Sequence, residues 1–336
     1  MAQVLGLLIL SLFVTFILIV PFIDFLYKVR FQRRRQKTVD IFDKPTPVFD
    51  KMNQWKTGTP FGGGILIISI VTLLSLWSYG IFNITINPWE LFVVLFTFIS
   101  FGLLGLYDDA KKLASPKQAK AFFGLRFRHK FIIQWLLALI IATIIYFQLG
   151  YSFVFIRGIG LTTLGLLFIP FSAFVIVSFV NAFNITDGLD GLAPGLFLIC
   201  ILAFLAITTE VDKSLAIFLA ILIGSVSAFL YFNIYPARIW LGDVGSMSLG
   251  ASLAVIGLLT GKTVALAIIG GVFVMEVGSS LIQLLGKKLL HKKILPVAPL
   301  HLYFLKRGWG EPRTVMRGWL LGFFFAILGL YIAFIK

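Results

Sequence analysis

Charge is scarce in this chain. Only 13% of its 336 residues are Asp, Glu, Lys or Arg, and the acidic ones number 14. Soluble domains carry about 25% charged residues, so an ordinary soluble fold is excluded. Cysteine is scarcer still. Cys200 stands alone in an apolar run, which rules out a disulfide framework or a cysteine-built metal site and leaves a small buried thiol. Histidine occurs three times, and from spacing alone a lone loop histidine such as His301 reads as a solvated polar residue.

What fills the chain instead is apolar: 59% of residues are hydrophobic and 15% aromatic. Apolar runs of about 20 residues recur, the length a helix needs to cross roughly 30 Å of hydrocarbon. Continuous runs point to helices, because a transmembrane barrel would show short alternating segments. The expected fold is an all-α polytopic membrane helical bundle, one integral membrane domain over residues 1–336. About ten transmembrane helices are expected, at 4–27, 62–77, 89–106, 131–149, 161–180, 194–208, 214–231, 246–259, 263–285 and 318–335. The first run is too long for a signal peptide and lacks a basic start and a small-residue cleavage pattern, so it is expected to remain as a helix.

The net charge of +15 does not point to nucleic acid, because the basic residues sit between spans and form no soluble domain. Segments 28–61, 107–130, 232–245 and 286–317 hold 25 of the 29 Lys and Arg; Arg157, Lys213, Lys262 and Lys336 fall on the other side. Basic loops stay in the cytoplasm, so both termini are expected outside, and the basic surface is expected to attract anionic lipid or substrate.

On that topology the three stretches bearing Asp108–Asp109, Asp187–Asp190 and Asp243 face the cytosol. Ion-coupled transporters usually place ionisable groups near the midplane. Here the interior of the bundle is nearly uncharged apart from Glu276 and Asp24, which argues against transport; Glu276 reads either as a bond to a neighbouring helix or as a cavity group.

Three stretches carry the chemistry. In GLYDDAKK (105–112), Asp108 and Asp109 are expected to close the third span at its negative dipole end, where two carboxylates need a metal, a lysine such as Lys111 or Lys112, or one raised pKa. The bland reading is a solvated helix end. In WLGDVGSMSLG (240–250), Ser246 reads as an N-cap of span eight and Asp243 as a carboxylate suited to hold Mg²⁺ against a diphosphate at a helix N-terminus. The alternative is a simple capping turn. In VNAFNITDGLDGLAPG (180–195), Asn181, Asn184 and Asp187 recur one turn apart and Asp187 and Asp190 bracket Gly188, donors and acceptors able to read a nucleobase or ribose. A polar turn ending a helix is the plain reading. Trp240 could stack on a base or anchor at the interface. At Asn233 and Lys56, spacing says only that both are polar and face the cytosol.

Five ordered stretches, KTGTPFGGG (56–64), GLYDDAKK, NAFNITDGLDGLA, NIYPARIWLGDVGSMSLG and PLHLYFLKRGWGEPRTVMR, make the chain resemble the polyprenyl-phosphate N-acetylhexosamine-1-phosphate transferases from about Lys56 onward. That resemblance implies transfer of a phospho-sugar from a UDP-sugar donor to undecaprenyl phosphate, with release of UMP and a requirement for Mg²⁺, in the bilayer of the bacterial cytoplasmic membrane. The KRGWGEPR continuation is similar to the branch that uses UDP-MurNAc-pentapeptide and makes lipid I. The alternatives are a UDP-GlcNAc-using branch, a lipid-phosphate transporter without chemistry, and a scaffold.

By motif position, the resemblance implies Asp243 as metal ligand and catalytic residue, Asp108 and Asp109 as the carboxylates nearest the reacting phosphates, and His301 as a further catalytic residue. It implies a uridine pocket of Lys56, Asp187, Gly188, Asp190 and Trp240, supported by Asn181, Asn184 and Asn233, with Lys112 and Lys130 facing phosphates. A homodimer is compatible with it. The chain departs from the family pattern twice: a triple histidine becomes His301-Leu302-Tyr303, and TPTMGG becomes TPFGGG at Phe61 and Gly62.

Overall fold

The structure, a computed structural model, describes residues 2–33, 56–81, 87–114, 127–156 and 160–335. The remainder of the basic loops (34–55 and 115–126), Arg157 and Lys336, on which part of the charge asymmetry rests, lie outside the described residues.

The described helices are α1 (Ala2–Lys28), α2 (Gly63–Ile81), α3 (Pro88–Ala114), α4 (Phe127–Phe147), α5 (Phe168–Thr186), α6 (Leu192–Val211), α7 (Lys213–Asn233), α8 (Gly242–Leu259), α9 (Thr263–Ile269), α10 (Gly271–Leu289), α11 (Leu300–Lys306) and α12 (Glu311–Phe334). Among the described residues nine of them are long and apolar enough to cross a membrane, ten if the bent pair α9–α10 counts as one span. The polytopic helical bundle expected from apolar run length is therefore present.

Three local expectations are corrected. Span nine is not straight: α9 and α10 meet at 78°. The break falls at Gly270 and Gly271, where added Cβ atoms would meet the Phe179 ring at 2.6 Å and the Phe325 ring at 2.8 Å; a glycine pair is a common cause of a kink. The fifth span starts later than expected, because Gly160–Thr163 (β2) pairs antiparallel with Phe153–Ile156 (β1) in a small hairpin. And α3 continues past Asp108 and Asp109 to Ala114, which places Lys111 and Lys112 in its last turn, where cations suit the helix dipole.

Helix α8 is the axis of the bundle. Every residue from Val244 to Leu259 is buried, against α3, α5, α2, α6 and α9. Its sequence is rich in Gly, Ser and Ala, which lets membrane helices approach closely, since lipid provides no hydrophobic drive for helix association. A Cβ on Gly64 or Gly105 would land on the backbone of Gly245 or Asp243, and one on Gly250 would meet the Phe179 carbonyl oxygen at 2.8 Å. These contacts bring α2, α3 and α5 against the first turns of α8, which bear Asp243.

Candidate functional site

Asp108 and Asp109 on α3 are almost fully buried, and α8 presents Asp243 to them. Two lysines bind the three carboxylates together. Lys112 Nζ lies 2.8 Å from Asp243 Oδ2, 3.2 Å from Asp108 Oδ2 and 3.4 Å from Asp109 Oδ1. Lys130, in the first turn of α4, lies 2.7 Å from Asp243 Oδ2 and 3.2 Å from Asp108 Oδ2. Asn184 donates to Asp243 Oδ1 at 3.0 Å and to Ser246 Oγ at 2.8 Å, and the Val244 amide donates to Asp109 Oδ2 at 3.2 Å. Buried charges are sustained only by such pairing. Three formal negative charges face two positive ones, so the centre is one cation short.

Ser246 is not an N-cap. Helix α8 begins at Gly242, so Ser246 sits inside it and serves Asn184 as an acceptor. Asp243 lies in the first turn, where the dipole favours a carboxylate.

The second group is built on Lys56, 2% exposed. Its Nζ lies 2.8 Å from Asp190 Oδ1 and 2.6 Å from Glu311 Oε1, and donates to the Gly188 carbonyl at 3.4 Å. Glu311 Oε1 also accepts from the Asp190 amide at 2.7 Å, while Asp190 Oδ2 accepts from the Ala237 amide at 3.0 Å. Asn233 fixes the same turn, accepting from the Gly191 amide and donating to the Ile239 carbonyl. Lys56 and Arg33 lie over the Trp240 ring at 5.4 and 4.9 Å. Trp240 Nε1 is buried without an acceptor among the described residues.

Asp187 caps α5 between the two groups. Burial pushes its carboxyl well above the usual carboxylate range, the charges of Asp243, Asp190 and Asp109 add to this, and Lys56 opposes it. His301 is not a solvated loop residue: it is the second residue of α11, 2% exposed. Its backbone N–H and Nδ1 both meet Glu276, at 3.1 Å each. Glu276 therefore bonds a neighbouring helix. A Cβ on Gly188 would sit 2.6 Å from His301 Nε2, so the ring occupies the space that glycine leaves.

The structure thus brings together Asp108, Asp109, Asp243, Lys112, Lys130 and Asn184, and beside them Lys56, Asp187, Gly188, Asp190, Asn233, Trp240 and His301. Asn181 departs from expectation: its amide donates to Gln134 Oε1 at 2.9 Å and to the Val177 carbonyl at 2.8 Å, binding α5 to α4. The expected alternatives for Lys111 and Lys112 also separate, since Lys111 turns onto the Tyr107 ring at 4.7 Å. Asp24 faces outward. At the TPFGGG departure, Gly62 adopts φ +104° and Phe61 packs on Phe31 at 4.6 Å, a backbone conformation that favours glycine. Glu311 was missed by sequence reasoning; its one signal is an acid beside Pro312 at a helix start.

Fold and site together define a polytopic helical membrane protein with a buried, lysine-bridged carboxylate centre at one end of its bundle. The sequence model of the family described as Glycosyl transferase family 4 matches residues 91–261. The phospho-N-acetylmuramoyl-pentapeptide-transferase of Borrelia hermsii is 39% identical over 300 residues, 82% of each chain. That of Pelagibacter ubique is 36% identical over 344 residues, covering 95% of this chain and 90% of the relative, and that of a Geobacillus species 36% over 330, 96% of both. The chain belongs to glycosyl transferase family 4 and, within it, to the phospho-N-acetylmuramoyl-pentapeptide-transferases.

Proposed function

We propose that this protein transfers phospho-MurNAc-pentapeptide from UDP-MurNAc-pentapeptide to undecaprenyl phosphate, giving lipid I and UMP, at the cytoplasmic face of a bacterial membrane. The observation that carries the reading is the convergence of Asp108, Asp109 and Asp243 on Lys112 and Lys130, in a chain whose relatives are named for this transfer.

The reaction breaks one phosphoanhydride bond of the donor and forms another to the lipid phosphate. Such exchange needs charge neutralisation and in-line placement more than covalent help. Lys112 and Lys130 hold positive charge where the diphosphate oxygens have to lie. Asp108 is placed to accept a proton from a lipid phosphate arriving as the monoanion; with a second pKa near about 6, much of that phosphate is already dianionic at neutral pH. Lys56, Asp187, Gly188 and Asp190 form the donor pocket, with Trp240 offering a ring face and an unused N–H. His301 closes the pocket over Gly188.

Mg²⁺ is the proposed cofactor, and the residues fit it. The donors are hard carboxylate oxygens, the centre lacks one positive charge, and three carboxylates lie within 3.4 Å of one ammonium nitrogen. Mg²⁺ takes few protein carboxylates and completes its shell with water and phosphate oxygens, and among the described residues no group of three His, Cys, Asp or Glu side chains is placed to hold a metal ion by itself. Asp243 would hold it, with Asp108 and Asp109 adjacent. Bound there it would neutralise charge on the diphosphate.

The test is release of UMP by the purified protein with undecaprenyl phosphate and Mg²⁺, comparing UDP-MurNAc-pentapeptide with UDP-GlcNAc. Turnover of the first donor is expected, abolished by a chelator and lowered about 10²- to 10³-fold in Asp243→Asn, the loss typical of a group that stabilises transition-state charge. Full activity in that variant overturns the metal assignment. Movement of labelled lipid across the bilayer without UMP overturns the enzyme reading.

A further inference from the structure

We propose that Trp309, Arg313 and Arg317 form a binding site for the phosphate headgroup of an anionic membrane phospholipid. Trp309 lies in the turn between α11 and α12, where Phe304 stacks on it at 4.6 Å and 23°. Arg313 and Arg317, one helical turn apart, hold their guanidinium carbons 4.8 and 4.4 Å from the same indole centroid. Alongside, Arg307 lies over Tyr303 at 5.1 Å, and Tyr303 meets Phe304 edge-on. All three arginines are exposed, and none has a carboxylate partner among the described residues.

Two guanidiniums held on one ring repel each other. The indole offsets this only in part, about 0.5–1 kcal/mol for each exposed cation–π contact. An anion between them removes the repulsion, and the guanidinium fork matches the paired oxygens of a phosphate.

Depth and the surface below identify the anion's source. From residue 318 to 334, α12 carries no charge, and those 17 residues span about 26 Å at 1.5 Å per residue, close to the thickness of the hydrocarbon. The guanidinium pair therefore lies at headgroup level, with Trp309 as an interfacial aromatic. Leu320 and Phe324, three and seven residues beyond Arg317, continue the same helix face and are 70% and 60% exposed. A free phosphate would use only the arginines, whereas a phospholipid covers both the arginines and the apolar strip beneath them.

The test is native mass spectrometry of the full-length protein released from micelles containing phosphatidylglycerol and phosphatidylcholine, scoring retained lipid. Arg313→Gln/Arg317→Gln is expected to lose phosphatidylglycerol about 30-fold, about 1 kcal/mol for each basic residue near an anionic surface, with phosphatidylcholine unchanged. Arg313→Lys/Arg317→Lys, which keeps the charge and loses the fork, is expected in between and guards against a misfolded double variant. Lys292→Gln/Lys293→Gln, on an exposed neighbouring segment, is expected to retain lipid like the parent. The proposal is overturned if the glutamine pair retains phosphatidylglycerol, or if the lysine control loses it equally, which would mark diffuse attraction. Competition by inorganic phosphate at equal strength, or a change confined to oligomeric state, overturns it too.

Discussion

Lys56 Nζ lies 2.6 Å from Glu311 Oε1, although 255 residues separate them in sequence. The contact joins the segment ahead of α2 to the first turn of α12, across the turn that carries Asp187 and Asp190. Because Glu311 also accepts from the Asp190 amide, one carboxylate oxygen holds both a buried ammonium and the backbone of the proposed donor pocket.

Glu311→Gln keeps an acceptor but loses the charge. A hydrogen bond to a charged group contributes about 1.5–3 kcal/mol, so the KM for the UDP donor is expected to rise roughly 10- to 100-fold with kcat nearly unchanged. Steady-state kinetics of UMP release check this; an unchanged KM removes Glu311 from the pocket.

Gly105→Ala and Gly102→Ala separate backbone from side-chain crowding. At Gly105 the added methyl lands on the Asp243 backbone, and at Gly102 it meets the tip of the Ile68 side chain, which can turn aside. Gly105→Ala is expected to cost about 1–3 kcal/mol of stability and to lower activity more than tenfold by displacing Asp243. Gly102→Ala should lose little activity. Thermal unfolding in detergent beside the UMP assay distinguishes them, and equal activity losses would contradict the packing account.

Glu276 accepts from both His301 nitrogens that face it, backbone and Nδ1. Glu276→Gln retains an acceptor for the ring and should keep more activity than Glu276→Leu, which frees the imidazole to turn. Matching rates in the two variants would show that ring orientation does not matter.

Asp212 caps α7, accepting from the Ser214 amide at 2.8 Å and the Leu215 amide at 3.2 Å. Burial alone would raise its carboxyl, but hydrogen bonds from Glu90, Ser214 and Leu215 outweigh it and hold the group below its ordinary value. A depressed folded-state pKa contributes stability above the unfolded value of about 3.9, and that contribution is lost as pH falls through the folded one. Asp212→Ala should therefore cost about 1 kcal/mol near neutrality, with the gap to the parent closing below about pH 4. Melting curves from pH 3 to 7 test this, and a gap independent of pH would reject the cap.

Much of this was legible along the chain. The long apolar helices were visible because hydrocarbon thickness sets a length that any apolar run can be measured against. The Asp-bearing turns were visible because charge between apolar runs is costly without a ligand or partner. Lys112 was legible as a partner for Asp108 and Asp109, but its bridge to Asp243 and that of Lys130 were not, and only the approach of α3, α4 and α8 reveals them. The place of His301 against Glu276 was hidden for the same reason, since the two lie 25 residues apart on separate helices.

The amino-acid order by itself determined that the chain crosses a membrane as a helical bundle and which turns hold its scarce carboxylates, because both follow from local composition and run length. Lys112 meets Asp108 and Asp109 within one turn of α3, but tertiary structure decided which distant charges join them. Glycines at 64, 105 and 250 bring α2, α3 and α5 onto α8 at backbone distance, and that approach sets Asp108 and Asp109 beside Asp243, while the start of α12 brings Glu311 to Lys56. Local pattern contains neither the Asp243–lysine pairs nor the Lys56–Glu311 pair, because each joins segments far apart in the chain whose separation is fixed only when the bundle closes.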